Sequence, residues 1–121
     1  MMGSTLLAVD AAELGDRALL DSLLPHSYQG HLRGPFLMLS ETPKNDAVNF
    51  VTGAGGFLQQ VIFGYTGLRI RDGGLEPAFE PLLPSKVTGL VLRNAYSGGR
   101  RWDVVVDSTG RRMVPRSGDA R

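Results

Sequence analysis

The spacing of apolar residues changes once along this chain, close to Leu68. Before this position the apolar residues recur at roughly every third or fourth residue, which predicts helices. After it they alternate with polar residues, beginning with Leu68-Arg69-Ile70-Arg71, which predicts short strands. Helices in one half of a chain and strands in the other predict an α+β fold.

The N-terminal third predicts two helices joined by a very short turn. Residues 4–14 are good helix formers, and Gly15 after them is a candidate C-cap. Asp16 is then a candidate N-cap for a second helix, with a kink or an end near Leu24 because Pro25 has no backbone N–H to donate. Two helices this close in sequence form an αα-hairpin.

A third helix is predicted from Thr52, a plausible N-cap, to Phe63. Its apolar residues cover most of its circumference, so we expect most of its surface to be buried. The glycine-rich first turn, residues 53–56, indicates that something approaches the backbone closely. Helix packing is the favoured explanation over a phosphate cradle, because the P-loop Lys-Ser/Thr and a preceding βαβ strand are both missing.

The C-terminal half predicts an antiparallel hairpin. Residues 87–96 and 101–107 predict two strands joined by Ser97-Gly98-Gly99, with Trp102, Val104 and Val106 on one face of the second strand. A further turn at Thr109-Gly110 leads to a short strand over 112–114. The preceding segment, 75–85, carries three prolines and is expected to be irregular or to form an edge strand.

The composition excludes several classes of function. A net charge of +1 gives no electrostatic argument for binding nucleic acid or an anionic membrane. The chain has no cysteine, no apolar run of about 20 residues, and no basic leader, so we expect a cytoplasmic protein. His26 and His31 lie five residues apart without an acidic partner in register, so we expect satisfied or surface histidines and no metal or other cofactor.

Glu41 is the leading candidate for a catalytic carboxylate in this sequence. It follows the extended apolar segment 36–39, so its side chain is expected at the edge of the core. A perturbed carboxylate at such a position is a candidate general acid or base, whereas an ordinary loop glutamate is the alternative.

Two motifs resemble a known family of enzymes. The stretch GPFLMLSETP is followed by AVNFVTGAGGFLQQVIFGYTGLRI, which contains NF-x-TG-x-GGFLQ and FG-x-TG-x-R. These residues, 34–70, resemble glycoside hydrolase family 65, and most closely its branch of acid trehalases and protein-glucosylgalactosylhydroxylysine glucosidases. The rest of the chain is similar to that family only weakly.

The resemblance implies a particular architecture. Family members have a catalytic (α/α)6 barrel flanked by β domains, and this chain resembles their C-terminal part. Residues 1–66 would then be the last helices of a partial barrel domain. Residues 67–121 would be the start of a partial, β-sandwich-like C-terminal domain.

The resemblance also implies a chemistry. The family inverts the anomeric configuration, which requires a general acid and a general base about 6.5–9.5 Å apart. Glu41, in the context Ser-Glu-Thr, is the candidate base, and Asn49, Thr52 and Gly53 are candidate substrate-binding residues. No stretch corresponds to the family's acid. The phosphorylases of the family place a histidine near the start of the third helix, and its absence here favours hydrolysis.

The sequence therefore predicts a C-terminal fragment of an inverting α-glucoside hydrolase that is inactive alone. The expected substrate is a glucoside, either a glucosyl disaccharide or a glucosyl-galactosyl conjugate. The expected protein partner is the missing barrel portion on another polypeptide. The alternatives are a fragment of a disaccharide phosphorylase and a non-catalytic module that is structural or contacts carbohydrate. Whether the chain is itself an enzyme stays open at this stage.

Overall fold

The computed structural model describes residues 2–117 and has the α+β composition expected from the sequence. The helices are α1 (Met2–Glu13), α2 (Arg17–His26) and α3 (Val51–Gln59), the last continued by a π-helical segment, Gln60–Tyr65. The strands are β1 (Leu32–Arg33), β2 (Met38–Leu39), β3 (Leu68–Arg71), β4 (Gly74–Pro77), β5 (Leu90–Ser97), β6 (Arg100–Asp107) and β7 (Gly110–Pro115).

The αα-hairpin of α1 and α2 is confirmed, including its caps. Gly15 has a φ of +72°, a left-handed conformation that ends α1 and that glycine adopts without steric cost. The Asp16 side chain accepts a hydrogen bond of 3.0 Å from the Leu19 N–H, as an N-cap does. Helix α2 ends at His26, two residues beyond the expected end, with its last turn closed by the Ser27 N–H and hydroxyl, which both donate to the Leu24 carbonyl.

The predicted start of the third helix is wrong. Helix α3 begins at Val51 with Phe50 as its N-cap residue, and no side chain caps it, so Thr52 lies within the first turn. The predicted end at Phe63 is also wrong, because α3 becomes a π-helix at Gln60. This wider turn brings the Gln60 amide into hydrogen-bond contact with the Tyr65 hydroxyl, and both side chains are buried.

The core lies between the helical hairpin, the end of the π-helical segment and the sheet formed by β5, β6 and β7. The small side chains of Ala8, Ala11 and Ala12 are buried on α1. Across from this helix, a Cβ built on Gly64 would lie 3.5 Å from the Val9 Cα, so the π-helical segment approaches α1 closely there. The buried apolar residues are Ala8, Ala11, Ala12, Leu20, Tyr65, Leu68, Leu83, Val104 and Val106.

Three antiparallel sheets make up the β structure. Strands β1 and β2 form a two-residue ladder, β3 and β4 a hairpin, and β5, β6 and β7 a three-stranded sheet in chain order. The predicted hairpin of residues 87–107 is confirmed with shifted ends, since β5 begins only at Leu90. The prediction of an extended segment over 36–39 is correct for Met38 and Leu39, which form β2 and pair with β1. It is wrong for residues 36 and 37, because residues 34–37 form a turn.

The expectation that α3 is buried over most of its circumference is wrong. Val51 is 78% exposed and Leu58 is 57% exposed, because α1 and β2 are the main elements that pack against α3. Other large apolar side chains of the helices, of the turn between α1 and α2, and of the turn before β2 are also exposed: Met2, Leu6, Leu7, Leu14, Leu19, Phe36 and Leu37.

Polar contacts join the helical half to the strands. The Arg111 guanidinium on β7 donates to the backbone carbonyls of Thr66 and Phe79. Arg69 on β3 pairs with Glu13 of α1 at 3.3 Å. The Arg111 contacts therefore hold β7 against the residue that follows the π-helical segment, and the Arg69–Glu13 pair holds β3 against α1.

Candidate functional site

The candidate site is the loop of residues 40–50 between β2 and α3, with Glu41 near its start. The Glu41 side chain is exposed, and its backbone N–H donates to the Ala47 carbonyl at 3.2 Å, closing the loop on itself. The sequence places this carboxylate at the edge of the core, whereas in the structure it lies beside the buried Ser40 in a loop that contributes no residue to the apolar core. An exposed carboxylate next to a rigid buried residue can reach a substrate or a water molecule.

Ser40 and His31 fix the base of this loop. His31 is 5% exposed, its carbonyl accepts the Ser40 N–H at 2.8 Å, and its Nδ1 lies 3.0 Å from the Ser40 carbonyl. Because a carbonyl oxygen only accepts, Nδ1 must carry the proton in this contact. The Ser40 hydroxyl donates to the Thr42 carbonyl at 2.8 Å. His31 is therefore a satisfied structural histidine, as expected from the sequence.

Arg33 on β1 reaches across to the same loop. Its Nε lies 3.0 Å from the Asp46 carboxylate, and its side chain is 22% exposed. Its terminal nitrogens donate to backbone carbonyls, namely those of Gly30 (2.8 Å), Leu32 (3.2 Å), Thr42 (3.3 Å), Pro43 (3.1 Å) and Asn45 (2.9 Å). Arg33 was not among the residues predicted from the sequence. The one feature that could have indicated its ion pair is the presence of an arginine thirteen residues before Asp46.

The other candidate residues lie on the far side of the loop and on α3. Asn49 is exposed with a φ of +62°, a left-handed conformation that asparagine tolerates better than most residues. It lines an open cavity of about 320 Å³ together with Leu37, Met38, Leu39, Phe50, Val51 and Ala54.

Thr52 and Gly53 do not join Asn49 in that cavity. Thr52 is exposed and lines a different open cavity, of about 330 Å³, between α1 and α3. Gly53 is buried. Neither cavity is lined by Glu41. The four candidate residues are therefore close in sequence, but the structure does not gather them around one cavity of this chain.

The glycine-rich turn of α3 is explained by helix packing. A Cβ built on Gly56 would lie 2.6 Å from the Thr5 hydroxyl of α1, and Thr5 is fully buried. A Cβ built on Gly55 would meet nothing within 4 Å. Gly56 is thus the position where the two helices require the absence of a side chain, as the favoured explanation predicts.

Among residues 2–117, three ionisable groups have shifted pKa values, and all three lie away from the loop. Hydrogen bonds from the Ser85 hydroxyl and N–H lower the pKa of Asp21, and corresponding bonds from Thr109 lower the pKa of Asp107. Burial raises the pKa of Tyr65. The first shift arises from a contact between α2 and the segment before β5, and the second from a turn, so they indicate structural roles for these carboxylates.

Within residues 2–117, no three histidine or acidic side chains come together as a possible metal site. In the same part of the chain, no helix combines the length and the apolar character needed to cross a membrane.

Comparison with known proteins finds relatives that are named as glycosidases. The chain is 35% identical to a protein-glucosylgalactosylhydroxylysine glucosidase of Danio rerio over 96% of its own length and 17% of that relative. It is 46% identical to the Dictyostelium discoideum glucosidase of the same name over 64% of this chain and 11% of the relative. No protein-family model matches the chain.

A second set of relatives extends the similarity to trehalases. The chain is 30% identical to a periplasmic/secreted acid trehalase of Candida glabrata, over 93% of this chain and 11% of the relative. The chain is therefore homologous to a segment of this group of glucosidases and acid trehalases, and the resemblance seen in the sequence is confirmed. It spans only 11–17% of the length of these three relatives.

The location of the protein stays a prediction. The name of the Candida glabrata relative places that trehalase in the periplasm or outside the cell, whereas the sequence analysis expects a cytoplasmic protein.

Proposed function

We propose that this chain is the C-terminal part of an inverting α-glucoside hydrolase of glycoside hydrolase family 65 and that it carries the general base, Glu41. The observation that carries the proposal is the 35% identity to a glucosidase along 96% of the chain. The substrates would be glucosyl disaccharides or glucosyl-galactosyl conjugates, the two classes suggested by the names of the relatives.

The position of Glu41 supports the role of general base. An inverting enzyme needs one carboxylate that activates water and a second carboxylic acid, about 6.5–9.5 Å away, that protonates the leaving group. Glu41 is exposed beside the buried Ser40, where an ionised carboxylate can accept a proton from water. The general acid would lie on the part of the enzyme outside this sequence, so the chain alone would be inactive.

The exposed apolar side chains of the helices support an incomplete barrel. Val51, Leu58 and Leu6 face solvent in this chain, although helices of a barrel bury such residues against their neighbours. Residues 1–66 would be the last helices of an (α/α)6 barrel, and residues 67–121 the start of a β-sandwich-like domain. Met1 and residues 118–121 of these ranges lie outside the described residues. The partner would be the remaining barrel, on the same or another polypeptide.

A chimera tests the proposal. This chain would replace the segment of the Danio rerio glucosidase to which it is similar, and glucose release would be measured from a glucosyl-galactosyl conjugate and from trehalose. The proposal expects activity in the chimera, none in the isolated chain, and β-glucose as the first anomer released. Glu41→Gln should abolish turnover, whereas Glu76→Gln, on the exposed face of β4, should not.

Three results would contradict parts of the proposal. Full activity of Glu41→Gln would remove Glu41 as the base. Turnover that depends on inorganic phosphate would favour a phosphorylase. A folded chimera without activity on either substrate would favour a non-catalytic module that is structural or contacts carbohydrate.

A further inference from the structure

The loop that carries Glu41 has almost no apolar anchor of its own. All residues from Glu41 to Asn49 are exposed, so burial of apolar surface contributes little to holding them in place. Ordering one residue costs about 1–2 kcal/mol of backbone entropy, so a loop of this length needs specific contacts to keep one conformation. Some of these contacts lie within the loop, such as the hydrogen bonds that the Asn45 side chain accepts from the Thr42 and Ala47 N–H groups. Arg33 supplies most of the side-chain contacts that reach the loop from outside it.

The Arg33 guanidinium is placed to hold the loop at several points at once. It donates to the carbonyls of Thr42, Pro43 and Asn45 and forms an ion pair with Asp46. On its other side it donates to the Gly30 carbonyl at 2.8 Å, which anchors it to the turn that precedes β1. The planar fork of arginine provides five N–H donors in fixed directions, which a lysine ammonium cannot reproduce.

We infer that Arg33 is the positioning residue for Glu41. Its guanidinium bonds to loop residues 42–46 and to the turn before β1. It thereby sets the direction in which the Glu41 carboxylate points. Its catalytic consequence rests on the proposed function of Glu41, whereas its effect on loop order can be measured independently of any activity.

The ion pair with Asp46 is the smaller part of this interaction. Asp46 is 91% exposed, and solvated ion pairs contribute little to stability. The hydrogen bonds to the backbone carbonyls of Thr42, Pro43 and Asn45 require the geometry of the guanidinium group and not only its charge. Arg33→Lys, which retains the charge, should therefore fail to replace arginine.

Amide hydrogen exchange in the full-length chain tests the effect on loop order. Arg33→Gln and Arg33→Lys should each raise the exchange rates of the Glu41, Ala47 and Val48 amides by about tenfold, because the loop opens locally. Amides of β5–β7 should change by less than about twofold. Asp46→Asn should have a small effect on the loop, and Arg116→Gln, which removes an arginine paired with Asp103 on the sheet, should have none there.

The inference is overturned if the loop amides exchange at the wild-type rate in Arg33→Gln, or if Arg33→Lys behaves as wild type. It is also overturned if exchange rises equally in the loop and in β5–β7, because that result would mean general destabilisation.

The chimera described above tests the catalytic part. Arg33→Gln should lower kcat by about 100-fold, since a misplacement of about 1 Å has an effect of this size, while KM changes by less than about threefold. If Glu41→Gln abolishes turnover and Arg33→Gln leaves kcat unchanged, the inference fails and the proposed function stands. If Glu41→Gln is fully active, the catalytic parts of both proposals are overturned.

Discussion

The three-stranded sheet and the helical half of this protein use their apolar residues differently. On β6 the burial alternates along the strand, because the inward-facing Val104 and Val106 are buried whereas Val105 between them is only partly buried. On α3 and α1 apolar residues lie on both the inner and the outer face, and Leu58 and Leu6 remain more than half exposed. The inward face of the sheet is therefore buried within the chain, whereas the helices leave large apolar side chains exposed.

This difference indicates where the chain lacks a neighbour. A helix that is apolar on most of its circumference is normally buried on most of it. Strand β5 does expose Val91 and Tyr96, so the sheet also has an uncovered side, but the exposed apolar residues are more numerous on the helices and on the turn before β2. The contrast fits a segment that covers only 11–17% of its glycosidase relatives.

The largest expected effect is the difference in the free energy of unfolding between replacing a buried leucine and replacing a leucine on the outer face of a helix. Leu68→Ala, at a fully buried position, should lower the free energy of unfolding of the chain by about 2–5 kcal/mol. Leu58→Ala should change it by less than about 0.5 kcal/mol. Urea unfolding followed by circular dichroism would measure both. A Leu58→Ala effect as large as that of Leu68→Ala would break the comparison, because it would mean that the outer face is already covered in solution.

Next in size is the close contact between α1 and α3. Gly56→Ala should destabilise the chain by about 1–3 kcal/mol, because its Cβ would lie 2.6 Å from the Thr5 hydroxyl. Gly55→Ala, one residue earlier and with open space around it, should stabilise the chain by about 0.5–1 kcal/mol through helix propensity. Thermal unfolding of the two variants is the measurement, and the same sign for both would contradict the packing described for this turn.

The helix caps should have an effect of about 1 kcal/mol. Asp16→Ala removes the side chain that accepts from the Leu19 N–H and should lower the free energy of unfolding by about 1 kcal/mol. Thr52→Ala should have an effect within about 0.5 kcal/mol, because Thr52 is not the N-cap of α3. Denaturant titration of the two variants would decide, and a larger loss for Thr52→Ala would restore it as a cap.

The smallest expected effect concerns the contact between α2 and the segment before the sheet. Hydrogen bonds from Ser85 lower the pKa of Asp21 in the folded chain, so the unfolded state binds more protons at acidic pH. The resulting stabilisation is present above the ordinary aspartate value of 3.8 and is lost as the pH falls through the folded pKa.

The melting temperature between pH 5 and pH 2.5 would test this. Its decline should be shallower in Asp21→Asn than in the wild type, because the asparagine has no proton to gain. Asp72→Asn, on an exposed turn, controls for the change in net charge. Equal slopes for the wild type and Asp21→Asn would contradict the contact.

Much of the fold could be predicted because local signals determine it. Gly15 and Asp16 mark the helix boundary by their own backbone and side-chain chemistry, and the alternation along 90–107 marks the hairpin to within a few residues. The start of α3 could not be predicted, because Phe50 has no side-chain capping group and Thr52 has one. Propensity favoured the wrong residue there, since packing against α1 sets the position of the helix.

The candidate site was predictable only in part. Glu41 could be singled out because a carboxylate after an apolar run stands at the edge of a core, and its role remains a prediction. Arg33 could not be found, because most of its partners are backbone carbonyls, which every residue possesses and no sequence pattern displays. Nor did the sequence distinguish Gly56 from Gly55, since only the position of Thr5 on another helix makes one of them indispensable.

The sequence by itself determined the α+β composition, the helical hairpin, the sheet hairpin and the relationship to glucosidases and acid trehalases. These depend on residue order over short distances and on motifs that are read residue by residue. Only the tertiary structure decided which apolar residues are buried, which glycine is required, and which arginine holds the Glu41 loop. These depend on groups that are distant in sequence and adjacent in space, because burial and hydrogen bonding are properties of neighbours rather than of residues.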